Sequence, residues 1–212
     1  MEIIWYGLSC FRLRGKEATV LTDPCPPSSG YNPGKPTADI VTISHPHENH
    51  SYRKGVAGSP RFIDSPGEYE IEGVFISGTS TYHDSKRGSD RGNNIAFVFE
   101  QENLSVCHLG DLGHTPTSAQ VEEMAGVDVL LVPVGGHSTI DATAAAEVVA
   151  LLEPKLVIPM HYKTPGSTLE LEPLDRFLKE VGVSSYEAQP KLSITASSLP
   201  HEMQVVVLDC KQ

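Results

Sequence analysis

Residues 45 to 50 read His45-Pro46-His47-Glu48-Asn49-His50, directly after the apolar run from Ala38 to Ser44. The chain has nine histidines in 212 residues, so three within six positions is a dense cluster. Neutral imidazole is the commonest protein ligand for borderline transition metals, and His-x-His on an extended chain points both rings to one side. The third ring returns to the same point if the chain turns after His47. A fold containing this segment has to deliver the end of a buried strand to a polar point built for several ligands. Scattered surface or core histidines fit the pattern poorly.

Three other apolar runs end at or just before a ligand-type residue. Leu104-Ser105-Val106-Cys107 leads into His108-Leu109-Gly110-Asp111, and Leu156-Val157-Ile158-Pro159-Met160 ends in His161. Gly73-Val74-Phe75-Ile76-Ser77 runs toward Tyr82-His83-Asp84. In open α/β sheets ligands gather beyond the carboxyl ends of strands, where side chains from separate strands converge. Four segments placing His or Asp there is the pattern a multi-strand metal site requires.

The chain is long enough for one ordinary domain, read here as spanning 1–212, burying roughly 70% of its unfolded surface. Strand signals fall at 2–6, 11–14, 19–22, 40–44, 68–72, 74–77, 95–100 and 104–108, where β-branched and aromatic residues lie between turn residues. Helix signals come later. Thr117-Ser118 can cap a helix through Met124, Thr139-Ile140-Asp141 opens one over 142–152, and 173–181 forms a third, stopped by Gly182. Strands are expected again at 192–196 and 205–208. The result is a mixed α/β chain with more strands than a simple Rossmann repeat supplies.

Composition bounds the function. The net charge is −11, and the one basic cluster, Lys86-Arg87-Gly88-Ser89-Asp90-Arg91, is short and interrupted. Nucleic acid is therefore not an expected partner, because phosphate contacts need clustered Lys and Arg. No stretch approaches the ~20 apolar residues of a membrane span, and no signal peptide is visible at the first residues. Cys10, Cys25, Cys107 and Cys210 form no Cys-x-x-Cys pair, as expected of buried thiols in a reducing cytoplasm. A cytoplasmic protein acting on a small molecule is the expectation. The oligomeric state is left open.

His45-x-His47-x-Asn49-His50, then His83, then His108-Leu109-Gly110-Asp111, then Met160-His161-Tyr162, resembles the ordered motifs of the metallo-β-lactamase superfamily. The likeness is greatest to the compact branch of metal-dependent hydrolases that includes ascorbate-6-phosphate lactonase-like proteins. Ile4 to Cys10 and Leu21-Thr22-Asp23-Pro24 are similar to that branch's first strand and Asp-Pro element. The resemblance implies an α/β fold in four layers, an αββα sandwich with the site along one edge. It implies one metal position from His45, His47 and His83, a second from His50 and His161, and Asp111 as bridge. Asp23 would accept the second ring N–H of a ligating histidine, which fixes the ring and raises its basicity. Zinc is the first expectation for the ion, with manganese, iron or nickel also compatible, and one or two ions bound.

The implied activity is hydrolysis of a small, anionic ester, lactone or phosphoester. A bound metal lowers the pKa of water so that hydroxide exists near neutrality, and it polarises the bond under attack. Asp111 would orient the attacking oxygen, while His114 or His137, on loops near the mouth, would assist the leaving group. Two residues depart from the family pattern. Asn49 stands where an aspartate usually ligates the second metal, so that position should be weaker or empty. Leu8 stands where relatives often carry a histidine. These departures support the alternative of a non-catalytic metal-binding protein on a degenerate site; an iron oxidoreductase on the same ligands ranks third.

Overall fold

The computed structural model describes residues 1–211. Strands β1 (Glu2–Trp5), β2 (Phe11–Arg14), β3 (Thr19–Thr22), β4 (Ile40–Thr42), β5 (Arg61–Ile63) and β12 (Leu192–Ser193) form one sheet, in the order β12-β1-β2-β3-β4-β5. Strands β6 (Gly67–Ile71), β7 (Val74–Tyr82), β8 (Asn93–Gln101), β9 (Leu104–His108), β10 (Val129–Pro133), β11 (Leu156–Met160) and β13 (Gln204–Val205) form the other, in the order β13-β11-β10-β9-β8-β7-β6. Both are mixed: β3, β4 and β5 run parallel, as do β9, β10, β11 and β13, and the remaining pairs are antiparallel.

Side-chain alternation explains how the sheets stack. In β1 and its neighbours Ile3, Trp5, Leu13, Val20 and Ile40 join the large core shared with the second sheet. The intervening residues Ile4, Leu21 and Val41 join a separate cluster with Tyr6, Leu8, Cys25 and Tyr31. A period of two puts these sets on opposite faces, so both faces of the first sheet are apolar and covered. Strands β9, β10 and β11 are near-continuous apolar runs, as parallel strands buried on both sides should be.

The three helices are α1 (Ser118–Met124), α2 (Ala142–Leu152) and α3 (Leu174–Glu180). Thr117 caps α1 in a reciprocal box with Gln120. The Asp141 carboxylate caps α2 by accepting from the Ala144 N–H at 2.9 Å, a contact worth about 1 kcal/mol. Helix α2 buries Ala145, Val148, Val149 and Leu152 against β10 and α3, while α1 lies on β7. Helices thus clothe the seven-stranded sheet. The outer face of the six-stranded sheet is covered by irregular chain instead, including the Pro-rich segment with Cys25 and Tyr31 and the stretch carrying Leu171. The expected fourth layer is present as packing rather than as helix.

The sequence reading missed β5 and β10 as strands. β10 is a five-residue apolar run whose residues are all buried, and a short run of that kind has no periodicity to reveal it. β7 reaches Tyr82 rather than stopping at Ser77, because Thr79, Ser80 and Thr81 pair with Ala96, Ile95 and Asn94 despite their polarity. The two C-terminal strands, expected over 192–196 and 205–208, shrink to two residues each at sheet edges.

The strand ends position the site. Asp23 follows β3, Ser44 and His45 follow β4, His83 follows β7, Asp111 follows β9, and His161 follows β11.

Candidate metal centre

The Asp111 Oδ2 atom is faced by four imidazole Nε2 atoms: His50 and His161 at 3.3 Å, His83 at 3.5 Å and His45 at 3.9 Å. All five side chains are buried. Ligand atoms of His45, His47 and His83 lie within 4.8 Å of one another, as do those of His50, Asp111 and His161. Only His47 in this set is exposed, at the rim. The cluster brings together the six residues that the resemblance assigned to metal binding.

Asp111 is itself held from behind. Its N–H donates to Asn94 Oδ1 at 2.9 Å, and Asn94 Nδ2 donates to Thr81 Oγ1 and the Leu109 carbonyl. Ser9 Oγ donates to Asp111 Oδ1 at 3.2 Å, while His108 Nε2 bonds the Ser9 carbonyl at 2.8 Å. His108 thus anchors the turn carrying Ser9. Gly110, at φ 56°, has no room for a Cβ, which would meet Ser44 and Asn94 at 2.5 Å. The position before Asp111 needs glycine.

Asp23 serves two rings. Its Oδ2 lies 3.1 Å from His50 Nδ1 and accepts from Ser44 Oγ at 2.6 Å, while Oδ1 accepts the Ser44 N–H at 2.7 Å. Ser44 Oγ is 2.9 Å from His45 Nδ1. The hydroxyl proton goes to Asp23, so His45 Nδ1 must donate to that oxygen. Both rings therefore carry Nδ1–H toward Asp23 and turn Nε2 toward Asp111. Sequence reasoning found Asp23 but missed Ser44, Ser9 and Asn94, because small polar residues near strand ends carry no motif.

His83 and His161 have no such partners. Both His83 ring nitrogens and His161 Nδ1 are buried without a hydrogen bond. Their main chains are pinned instead. His161, at φ 53°, donates its N–H to the Leu8 carbonyl at 3.2 Å, and a Cβ at Gly135 would meet its carbonyl oxygen at 2.0 Å. Leu8, also left-handed at φ 47°, accepts from Trp5 Nε1 at 2.9 Å. Its side chain is buried in the apolar cluster, so this position supports the centre through its carbonyl.

Electrostatics follow from burial and from Asp111. Desolvation drives the His45 pKa down to about 3, and it also lowers His83 and His161. At His50 burial pulls the same way but is outweighed by the Asp111 and Asp23 carboxylates, which raise it to about 9. The Asp111 carboxyl pays desolvation too, yet His161, His50 and the other rings hold it far below the usual range.

A divalent cation fits these residues. His45 Nε2 presents a lone pair toward a carboxylate oxygen without a hydrogen-bond partner, as does the buried His83 ring. Acceptor facing acceptor is repulsive in a low-dielectric site, and a cation between them reverses the sign. Asp23 also lies within ligand range of His45 and His50, but its oxygens already bond Ser44 and His50, which suits it to supporting the rings.

Other expected residues lie apart from this cluster. His114 is half-buried on Tyr82; its Nε2 accepts the Tyr82 N–H at 3.2 Å and its Nδ1 bonds the Thr115 carbonyl at 2.9 Å. Both nitrogens bond main-chain groups, which ties His114 to the strand before His83. His137 is exposed at φ 56° on the loop after β10. Asn49 is half-buried and Glu48 exposed. Beside His45 a cavity of about 490 Å³ is lined by Ser51, Arg53, Asp64, Ser80 and Asn93 among others.

A family model described as the beta-lactamase superfamily domain matches residues 2–161. A Thermotoga maritima protein, whose crystal structure is described as that of a candidate Zn-dependent hydrolase of the metallo-β-lactamase superfamily, superposes with a TM-score of 0.81. It is 46% identical, over 98% of this chain and 97% of the other. The chain belongs to the metallo-β-lactamase superfamily. Within that superfamily it falls among the UPF0173 metal-dependent hydrolases. One from Thermoplasma acidophilum is 30% identical over 190 residues, covering 77% of this chain and 84% of the relative. Another, from Thermoplasma volcanium, is 29% identical over 224 aligned positions, covering 91% and 96%. The site of this superfamily member is thus built on the expected α/β fold. Among the described residues no helix is long and apolar enough to cross a membrane.

Proposed function

We propose that this chain is a metal-dependent hydrolase. His45, His47 and His83 would hold one divalent ion, and His50, His161 and Asp111 a second, with Asp111 shared between the two and zinc the first choice. The observation that carries the reading is the single carboxylate oxygen faced by four buried Nε2 atoms. When bound, such ions supply Lewis acidity and a water of lowered pKa. Asp111, facing all four rings, would offset part of the charge of the bound ions. Asp23 holds the His45 and His50 rings so that their Nε2 lone pairs stay aimed inward.

The substrate is a small molecule bearing an ester, lactone or phosphoester, as in the lactonase-like branch named above. One observation and one expectation support an anionic reacting group. Arg87 and Arg91, in the loop after His83, are exposed and without ion pairs among the described residues, and bound ions would concentrate positive charge in an otherwise acidic molecule. The cavity beside His45 lies within the usual size range of small-molecule sites. Its only charges, Arg53 and Asp64, pair with each other at 2.5 Å, so it suits a neutral remainder of the substrate.

Kinetics on a panel of lactones and phosphodiesters, with zinc- and manganese-loaded protein, test the reading. Turnover abolished by chelation and restored by metal supports it. Metal-loaded protein inert toward the whole panel favours the non-catalytic alternative, whose basis is Asn49 in place of a charged ligand.

A further inference from the structure

His83 is the metal-facing histidine with least support from its ring. Neither ring nitrogen has a hydrogen-bond partner, although the side chain is buried. Its direction must come from the main chain on either side. On the amino-terminal side Tyr82 is held twice: its N–H donates to His114 Nε2, and its carbonyl accepts the Gly113 N–H at 2.9 Å. Gly113 packs so closely that a Cβ there would meet the His83 carbonyl carbon at 2.3 Å.

On the carboxyl-terminal side one carboxylate organises the whole loop. Asp84 Oδ1 accepts the N–H groups of Lys86 at 2.7 Å and Gly88 at 3.0 Å. Asp84 Oδ2 accepts those of Asp90 at 3.0 Å and Arg91 at 2.8 Å. These bonds draw the loop around the carboxylate, with Arg87 and Gly88 in left-handed conformations at φ 58° and 80°. The loop then closes back on the histidine, since the His83 N–H donates to the Gly92 carbonyl at 3.0 Å. Asp84 is 5% exposed and makes no ion pair among the described residues, so its carboxylate is spent on loop N–H groups. Charged acceptors make the stronger hydrogen bonds, and four on one side chain fix a segment whose glycines would otherwise leave it free.

We propose that Asp84 is the positioning residue for the His45–His47–His83 metal position, acting through the main chain of His83 and not as a ligand. The inference rests on the reading that these histidines bind metal. Without the carboxylate the 84–91 loop regains conformational freedom and His83 loses its fixed aim, while His50, Asp111 and His161 keep theirs.

The test is zinc titration of ion-free protein against a chromogenic chelator, with cobalt(II) absorption as the geometric readout. Asp84→Ala should weaken one of two zinc positions by about 10–100-fold, the usual effect of removing a supporting partner. It should also change the cobalt spectrum and leave the second position within threefold of wild type. Asp84→Asn, which keeps one accepting oxygen, should fall between. The control is Asp128→Ala, at the amino-terminal end of β10, where Asp128 Oδ2 accepts from the Ser105 N–H and hydroxyl. It should lower the unfolding temperature without altering either zinc affinity. Wild-type zinc affinities in Asp84→Ala would overturn the proposal, as would equal weakening of both positions in step with the unfolding temperature. Should Asp84→Ala not fold, Asp84→Asn decides alone: an unchanged cobalt spectrum and unchanged affinities overturn the proposal. Wild-type protein that takes up no zinc would overturn the reading of the centre instead.

Discussion

His45 and His50 reach the centre with each Nδ1 hydrogen-bonded, one to Ser44 Oγ and the other to Asp23. His83 and His161 arrive with Nδ1 unpartnered and their main chains pinned, by the Asp84 loop and by Leu8 and Gly135. Both solutions aim an Nε2 at the same Asp111 oxygen. The difference lies in what each costs. Orienting a ring from its far nitrogen requires a buried carboxylate and tolerates some play in the backbone. Orienting it from the backbone leaves the ring without a polar partner but demands a pinned main chain: left-handed φ at Leu8 and His161, no room for a Cβ at Gly113 and Gly135, and the Asp84 carboxylate in the loop after His83. The first mode should fail when the ring's partner side chain is removed, and the second when the main chain behind the ring is released, as by loss of the Asp84 carboxylate.

Asp111 belongs to both halves, so its substitution should have the largest effect. Asp111→Ala is expected to lose both ions, with hydrolysis down about 10³-fold or more, since several kcal/mol of electrophilic assistance disappear with the ions. Metal content by elemental analysis, read beside the kinetics, checks this; retention of two equivalents would mean that Asp111 is not the bridge.

Asp23→Ala sharpens the comparison. It frees both ring-oriented histidines, and each touches a different metal position, so both affinities should fall by about 10–100-fold. Ser44→Ala should weaken chiefly the position served by His45. A chelator competition assay in which Ser44→Ala weakens both positions equally would show that the two rings are not separately held.

The fold was legible where periodicity or caps spoke, and the ligands where histidines clustered. Helix α2 could be read from Asp141 and its apolar face, and the His45–His50 run announced the site. His83 was harder to place, because Gly78 and the polar Thr79 to Thr81 hid the strand that carries it. Ser44, Ser9, Asn94 and Asp84 were invisible as supporting residues, since their roles depend on contacts between distant segments. The His114 contact was hidden for the same reason: its bond to the Tyr82 N–H joins residues 32 positions apart.

Protonation offers a smaller, pH-resolved test of the ring-oriented half. In the ion-free protein the His50 pKa is raised to about 9. Its contribution to stability is therefore fully present below the unfolded value of about 6.5 and is lost as pH rises through about 9. Metal uptake at pH 7–8 has to displace that proton, so titration calorimetry in buffers of differing ionisation enthalpy should find more proton release at pH 7 than near pH 10. A release that does not change between pH 7 and 10 would place the displaced proton elsewhere.

The smallest effect is expected at Asn49. By the family resemblance Asn49 stands where a carboxylate would ligate the second ion, and a neutral amide there would leave that position short of charge, so one ion should survive purification and the other be lost or refilled only at high concentration. Asn49→Asp should raise the weaker affinity by about tenfold, equivalent to ~1.4 kcal/mol. Two tightly held ions in the wild-type protein, unchanged by the substitution, would show that Asn49 is no handicap.

The most direct measurement is anomalous diffraction at the zinc edge from crystals grown with zinc. The account predicts a peak among His45, His47 and His83, a second and weaker one between His50 and His161, and Asp111 Oδ2 in contact with both. Absence of any peak within reach of Asp111, or a peak ligated by Asp23, would contradict it.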